Sequence, residues 1–242
     1  MPTDQIFDDV WALQSGVSNV RTQRLPQIKE IDEVLPLDDQ FGASAPKTVP
    51  DAIFSHLFGQ QDPTHSESVT VGGDIADAPP LKTYAILDAA KVTNLVELLG
   101  NSRLEHRCLF KGDAYEELKD VAPWIVRLEE GNTFTRNLFS RSNAPWHLWD
   151  KEPGIYLRSN ASLDEMWRHF RKFTKVQDEK GKWYYYRFWE VRVLAEARNE
   201  QLVAFFEYLH SEAIATMICI DTFRNRARIF VPNHANEKGS NG

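Results

Sequence analysis

Two cysteines in 242 residues, Cys108 and Cys219, cannot form a disulfide framework, and both are expected to be buried thiols. Long hydrophobic runs are also missing, since no apolar stretch approaches the roughly 20 residues of a membrane span. The opening residues, "MPTDQIFDDVWAL", have neither the basic start nor the apolar stretch of a signal peptide, so none is expected. No G-x-S-x-G, no phosphate-binding glycine loop and no H-E-x-x-H occurs, and the seven histidines form no constellation. These absences remove the usual grounds for a nucleotide, a metal or any other cofactor, and leave no positive case for catalysis. Nothing repeats at a fixed period.

Hydrophobic residues make up 42% of the chain and aromatics 12%, enough to build a core and to exclude disorder throughout. The net charge of −7 is unevenly placed. Residues 1–80 hold thirteen acids, four bases and eight of the twelve prolines, whereas residues 81–242 carry a small excess of bases. Composition therefore changes at Pro79–Pro80, which marks a boundary. The acidic segment 1–80 has apolar anchors at helical spacing, Ile6, Phe7, Val10 and Trp11, then Ile53, Phe54, Leu57 and Phe58. It is expected to be an irregular arm that docks on the body or on a partner, so that a body without it stays folded. A small subdomain is the alternative.

From residue 81 the periodicity sharpens. "KTYAILD" reads as a strand, "AAKVTNLVELLG" as a helix stopped at Gly100, and "LEHRCLF" as a second strand. Strand, helix, strand at this spacing predicts a βαβ unit with parallel strands. "GDAYEELKDV" and "NTFTRNLFSR" read as helices around a strand "APWIVRL". "GIYLRS" is a strand leading into "SLDEMWRHFRKF", where Ser162 and Glu165 form a capping box. Leu163, Met166, Trp167, Phe170 and Phe173 make one apolar stripe on that helix, leaving Arg168, His169, Arg171 and Lys172 on the other side. A hairpin turned at Asp178–Gly181, two helices and two closing strands complete the chain.

One run concentrates aromatic surface. "KWYYYRFWEVRV" has six aromatic residues in the seven positions from Trp183 to Trp189. Read as a strand, it puts Trp183, Tyr185, Arg187 and Trp189 on one side and Tyr184, Tyr186 and Phe188 on the other. A central strand covered on both faces would explain the composition. A half-exposed face presenting Trp183, Tyr185, Arg187 and Trp189 would be an interface, because aromatics and arginine anchor protein contacts. A base-stacking platform would need a basic groove, which a chain of net charge −7 offers only locally. Asp88 ends the first strand, where α/β sheets often place ligand-binding residues, or it caps the turn after it. His106 and Cys108 lie two apart on a strand, but no second ligand pair accompanies them, so no metal site is drawn.

Four stretches, "YAILDAA" (84–90), "CLFKGDAYEELKDVAPWIVRL" (108–128), "SLDEMWRHFRKFTKV" (162–176) and "YYRFWEVRVL" (185–194), together resemble a known family. It is the type VI secretion effector adaptor, or chaperone, family of the Tap/TEC type, long catalogued as a domain of unknown function. The resemblance covers about residues 81 to 210. It implies a non-enzymatic protein in the cytoplasm of a Gram-negative bacterium, which binds a toxic effector and loads it onto a VgrG-type spike. Its aspartate after the first strand matches Asp88, and its proline–aromatic step matches Pro123–Trp124. Its basic helix matches Trp167, Arg168, His169, Phe170 and Arg171. Its arginine–aromatic–aromatic–aspartate–proline–arginine motif matches Arg187, Phe188, Trp189 and Arg192. Glu190 and Val191 stand where that motif has aspartate and proline, so an acid is kept but the turn that proline imposes is not.

The expectation is an α/β (α+β) protein in two lobes with an irregular extension over 1–80. The first lobe (81–150) would hold a mixed sheet with flanking helices, and the second (151–242) helices packed on an antiparallel hairpin. The expected partners are an effector and a spike protein, with no nucleic acid, membrane or cofactor. The partner-binding residues would be Arg168, Arg171, Lys172, Trp183, Tyr185, Arg187, Trp189 and Arg192. Two alternatives stand beside this: a hydrolase using Asp88 and His106, and a nucleic-acid binder using the 183–189 aromatics.

Overall fold

The segments "KTYAILD", "PWIVRL", "GIYLRS" and "TMICID" are buried on both faces, which requires a layer on each side of the sheet. In the computed structural model, residues 25–38, 46–60, 80–209 and 214–232 are described. Over them the strands are β1 (Gln27–Ile31), β2 (Lys82–Asp88), β3 (His106–Cys108), β4 (Pro123–Leu128), β5 (Gly154–Ser159), β6 (Lys175–Gln177), β7 (Trp183–Tyr185), β8 (Thr216–Asp221) and β9 (Arg226–Val231). The helices are α1 (Asp51–Leu57), α2 (Leu95–Ser102), α3 (Asp113–Leu118), α4 (Thr133–Phe139), α5 (Leu163–Phe170), α6 (Val191–Ala195) and α7 (Asn199–Tyr208). Seven strands form one sheet in the order β1-β9-β8-β5-β2-β4-β3, and β6 and β7 form a separate ribbon. The α+β class is as expected. Among the described residues no helix is long and apolar enough to cross a membrane.

Alternation along the strands divides the core in two. Ala85, Leu87, Trp124, Val126, Tyr156, Ile218 and Ile229 face a cluster completed by α1, α2 and α4. Tyr84, Ile86, Ile125, Ile155, Leu157, Met217 and Phe230 face the other cluster, completed by α5, α6 and α7. The helices before residue 150 thus cover one face and those after it cover the other. The strands expected to divide between two lobes make one continuous sheet, in which β2 pairs with both β4 and β5. Gly154 on β5 lies close against β2: a Cβ there would lie 1.8 Å from the Ile86 carbonyl oxygen.

The βαβ expectation is corrected in its pairing. β2 and β3 run in the same direction, but β4 lies between them and pairs antiparallel with both. No strand pair of the sheet is parallel, so the mixed sheet expected over 81–150 does not form. The side chains explain the insertion. β4 brings Trp124, Ile125 and Val126, apolar to both faces and suited to an interior place. β3 is a three-residue "HRC" strand of partly polar character, suited to an edge.

The described part of segment 1–80 docks on the body, as expected, but as a strand of the main sheet and a core helix and not as an irregular arm. β1 pairs along its length with β9, from Gln27↔Val231 to Ile31↔Ala227. Val34, Val49, Ile53 and Leu57 are fully buried in the first cluster. A body beginning at residue 81 would lack an edge strand and part of its core. Ile53 and Leu57 act as the expected anchors, whereas Phe54 is exposed; Ile6, Phe7, Val10 and Trp11 lie outside the described residues. Arg158, buried on β5, ties α1 to the sheet by donating to the carbonyls of Gly59 (2.8 Å) and Leu81 (3.3 Å).

The helix α5 forms as its sequence reads. The Ser162 hydroxyl accepts from the Glu165 N–H and the Glu165 carboxylate accepts from the Ser162 N–H, closing the capping box. Met166, Trp167, Phe170 and Phe173 are buried and Leu163 is partly so. The Trp167 indole donates to the Cys108 carbonyl at 2.6 Å, and the guanidinium groups of Arg107 and Arg171 lie 3.5 and 4.7 Å from its ring centre. Trp167→Ala should therefore lower stability by roughly 3–5 kcal/mol in chemical denaturation. A variant melting like the wild type would mean that this face is not core.

Candidate interaction site

At the C-terminal end of β2 the sheet closes on a buried carboxylate. Asp88 is 1% exposed, and its backbone N–H donates to the Pro153 carbonyl at 2.7 Å. Its Oδ1 accepts from the Ala90 N–H at 2.9 Å, which caps the turn after the strand. Its Oδ2 accepts from the Trp189 indole N–H at 2.9 Å and from the Arg187 guanidinium. The carboxylate is thus engaged on both oxygens, and it fixes the second half of the aromatic run.

Arg187 continues the network outward. It lies 3.3 Å from the Glu190 carboxylate, whose other oxygen is 2.5 Å from Lys91 Nζ. Lys91 also donates to the Glu152 carbonyl at 3.2 Å, and the Glu152 carboxylate accepts from the N–H and hydroxyl of Thr222, each at 3.0 Å. The acid kept at Glu190 therefore does contact the arginine three residues before it. The backbone there also suits the absent proline. Glu190 has φ −70° and ψ 120°, the conformation favoured before proline, and Val191 is the first residue of α6, where proline fits.

The aromatic run is not one strand. β7 ends at Tyr185, so alternation does not place Arg187 and Trp189 with Trp183 and Tyr185. Trp189 is 2% exposed and Phe188 is fully buried, stacked on Phe170 at 5.5 Å. Tyr186 is half-buried, and burial raises its hydroxyl pKa. Trp183, Tyr184 and Tyr185 are 61%, 43% and 49% exposed. Neither a fully covered central strand nor a single half-exposed face describes this. The run enters solvent at its first half and the core at its second.

The expected hairpin does form. Asp178 N–H donates to the Lys182 carbonyl, Asp178 Oδ1 accepts from the N–H groups of Lys180 and Lys182, and Gly181 takes φ +82°. Tyr185 packs on Phe110 at 5.1 Å, and Lys175 and Lys182 lie 5.0 Å from the ring centres of Tyr185 and Tyr184. Exposed aromatics thus alternate with lysines on a ribbon rooted beside the Asp88 network.

The remaining candidates scatter. Arg168 is exposed and paired with Asp164 at 2.6 Å, Arg171 is half-buried over Trp167, and Lys172 and Arg192 are exposed. Asp88 and His106 are not brought together. They lie two strands apart and three residues out of register, roughly 14 Å between Cα atoms. His106 instead approaches the Leu104 carbonyl with Nδ1 at 2.7 Å. Burial pushes the thiols of Cys108 and Cys219 up to about 11 and about 12, far from a reactive thiolate. A cleft of about 310 Å³, lined in part by Lys82, Arg107, Arg127 and Ser162, lies toward the opposite end of β2. Its arginines are matched by Asp164 and Glu105.

Lys91, Glu152 and Phe110 take part without having been singled out from the sequence. Only Lys91 carried a local signal, three residues after an aspartate that ends a strand.

Residues 83–201 match the family model described as "Domain of unknown function (DUF4123)", a match over just under half of the chain. No curated protein and no solved structure matches. The matched stretch contains Asp88, Arg187, Trp189 and the whole ribbon.

The Asp88–Arg187 pair should couple strongly. In a double-mutant cycle of Asp88→Ala and Arg187→Met, denaturation should give an interaction energy of about 1–3 kcal/mol; additive effects would remove the pair as a clasp. Val191→Pro should be neutral or stabilise by up to about 1 kcal/mol, because the backbone already has the required form. A clear loss of melting temperature would count against that geometry.

Proposed function

We propose that this protein is a non-enzymatic adaptor that binds a toxic effector and carries it to the VgrG-type spike of a type VI secretion system. The observation that carries the binding role is the rooted ribbon. Three neighbouring aromatic side chains stand in solvent while the chain just beyond them is fastened to a buried carboxylate. Exposed aromatic clusters on a positioned element are the usual anchors of protein interfaces. The effector and the spike come from the resemblance alone. The matched domain, 83–201, falls within the stretch of about 81 to 210 on which that resemblance rests.

The hydrolase reading gains no support from the geometry. Asp88 has both oxygens engaged inside the protein, and His106 is out of its reach. A general base needs its proton donor within hydrogen-bond distance, directly or through one water. The adaptor would act in the cytoplasm, where two inert, buried thiols are at home.

The test is co-expression with the product of the neighbouring gene and with the spike protein. The wild-type chain should co-purify with at least one of them. Trp183→Ala with Tyr185→Ala should reduce that recovery at least tenfold with an unchanged melting temperature, because both side chains are exposed. Charge reversal at Arg168 and Lys172 should weaken recovery less, since exposed ion pairs contribute only about 0–1 kcal/mol each. Turnover by the purified protein that disappears in Asp88→Asn would overturn the proposal.

A further inference from the structure

We infer that the open edge of β7 takes an extended, acidic segment of a partner protein as a third strand of the ribbon. The inference rests on reading the ribbon as the partner surface and adds the way in which the partner binds.

The hydrogen-bond parity of the ribbon carries the argument. Tyr186 N–H donates to the Thr174 carbonyl and Asp178 N–H to the Lys182 carbonyl. The register between them pairs Lys175 with Tyr185, Val176 with Tyr184 and Gln177 with Trp183. Antiparallel pairs alternate between bonded and non-bonded. Tyr184 is thus bonded inward to Val176, while the N–H and C=O groups of Trp183 and Tyr185 point away from β6. Those four groups have no partner among the described residues. The β6 edge differs, because the Lys175 carbonyl there accepts from the Tyr208 hydroxyl at 3.4 Å.

Two strands alone make a marginal sheet, and a third strand completes it. An exposed edge of this kind normally carries a guard, such as a proline, a bulge or an inward charge. β7 is short but carries no proline, bulge or charged side chain, only three aromatic residues. A strand laid along it would set its side chains beside Trp183 and Tyr185 on one face and Tyr184 on the other, so main-chain bonds give affinity and the rings select apolar residues.

Charge selects the rest. Residues 168–192 carry eight bases and three acids in a chain whose net charge is −7. Lys175 and Lys182 stand over the exposed rings, so acids at the rim of the incoming strand meet cations at both faces. A polyanionic nucleic acid would meet the rings and lysines too, but it lacks the alternating row of N–H and C=O groups that pairs with all four outward groups of β7.

The test uses the full chain and three probes: a short synthetic peptide alternating valine with glutamate, the same peptide with lysine for glutamate, and a single-stranded oligodeoxythymidine. Amide hydrogen exchange is read by NMR. With the acidic peptide, the Trp183 and Tyr185 amides should slow at least tenfold while the Tyr184 amide, already bonded in the ribbon, changes little. The lysine peptide should bind at least tenfold more weakly. Tyr185→Pro removes one outward N–H and should abolish the protection of Trp183, with the Tyr184 amide reporting that the ribbon persists. Ring shifts without amide protection would overturn strand addition and leave the surface reading intact. Failure of the acidic peptide to bind, equal binding of both peptides, or tighter and steeply salt-dependent binding of the oligonucleotide would each overturn the inference.

Discussion

The contact on which the arrangement depends joins two residues 101 positions apart, the carboxylate of Asp88 and the indole of Trp189. Asp88 lies on a strand bordered by β4 and β5, so its position is set by two ladders of backbone hydrogen bonds. Trp189 follows the ribbon and precedes α6. Because the carboxylate is buried, each bond it accepts is made at low dielectric, and the loss of one would leave an unpaired charge or donor. The rigid middle of the sheet thereby locates a segment that has little core of its own. Arg187, half in solvent, extends the hold to Glu190 and through it to Lys91 on the turn after β2.

That clasp explains how one aromatic run can serve two environments. Phe188 and Trp189 are drawn into the layer of α5 and α7, where they stack and donate. Three residues earlier the chain is already in solvent, with Tyr186 half-buried between. The exposed rings are steadied by Phe110 and two lysines, contacts that fix their orientation without covering them. Rings held in place lose less freedom on binding than mobile ones, which favours their use as anchors.

Much of this was legible in the sequence because it is local. The capping box at Ser162, the stripe from Met166 to Phe173 and the turn at Asp178–Gly181 each follow from spacing within a few residues. The strands of "KTYAILD" and "GIYLRS" likewise follow from apolar continuity. What could not be read was partnership between distant segments. Nothing local in "HRC" says that it is an edge strand two places from β2, and nothing in "QIKEI" says that it pairs with β9 about two hundred residues later. The aromatic run misled for the same reason. Its composition suits a strand throughout, but Asp88 captures its second half, and that capture is a tertiary event. At the site, Asp88, Arg187 and Trp189 were named from the sequence, yet Lys91, Glu152 and Phe110 meet them only through the fold.

The division of labour between the halves also bears on the role. Helices before residue 150 seal one face of the sheet and those after it seal the other, so neither face is left for a partner. A surface built from strand residues is then left only at an end or an edge. The edges of the main sheet are β1, which carries Lys29 and Glu30 among mostly exposed positions, and the three-residue β3. Charge and shortness are how natural sheets discourage unwanted pairing. The β7 edge of the ribbon is as short as β3, but its own side chains are three exposed aromatics and none is charged. Its exposed aromatic side chains favour a partner laid against it, and the basic residues around it disfavour a like copy and favour an acidic chain. An edge that disfavours its own copy and favours an acidic chain would suit the proposed adaptor role.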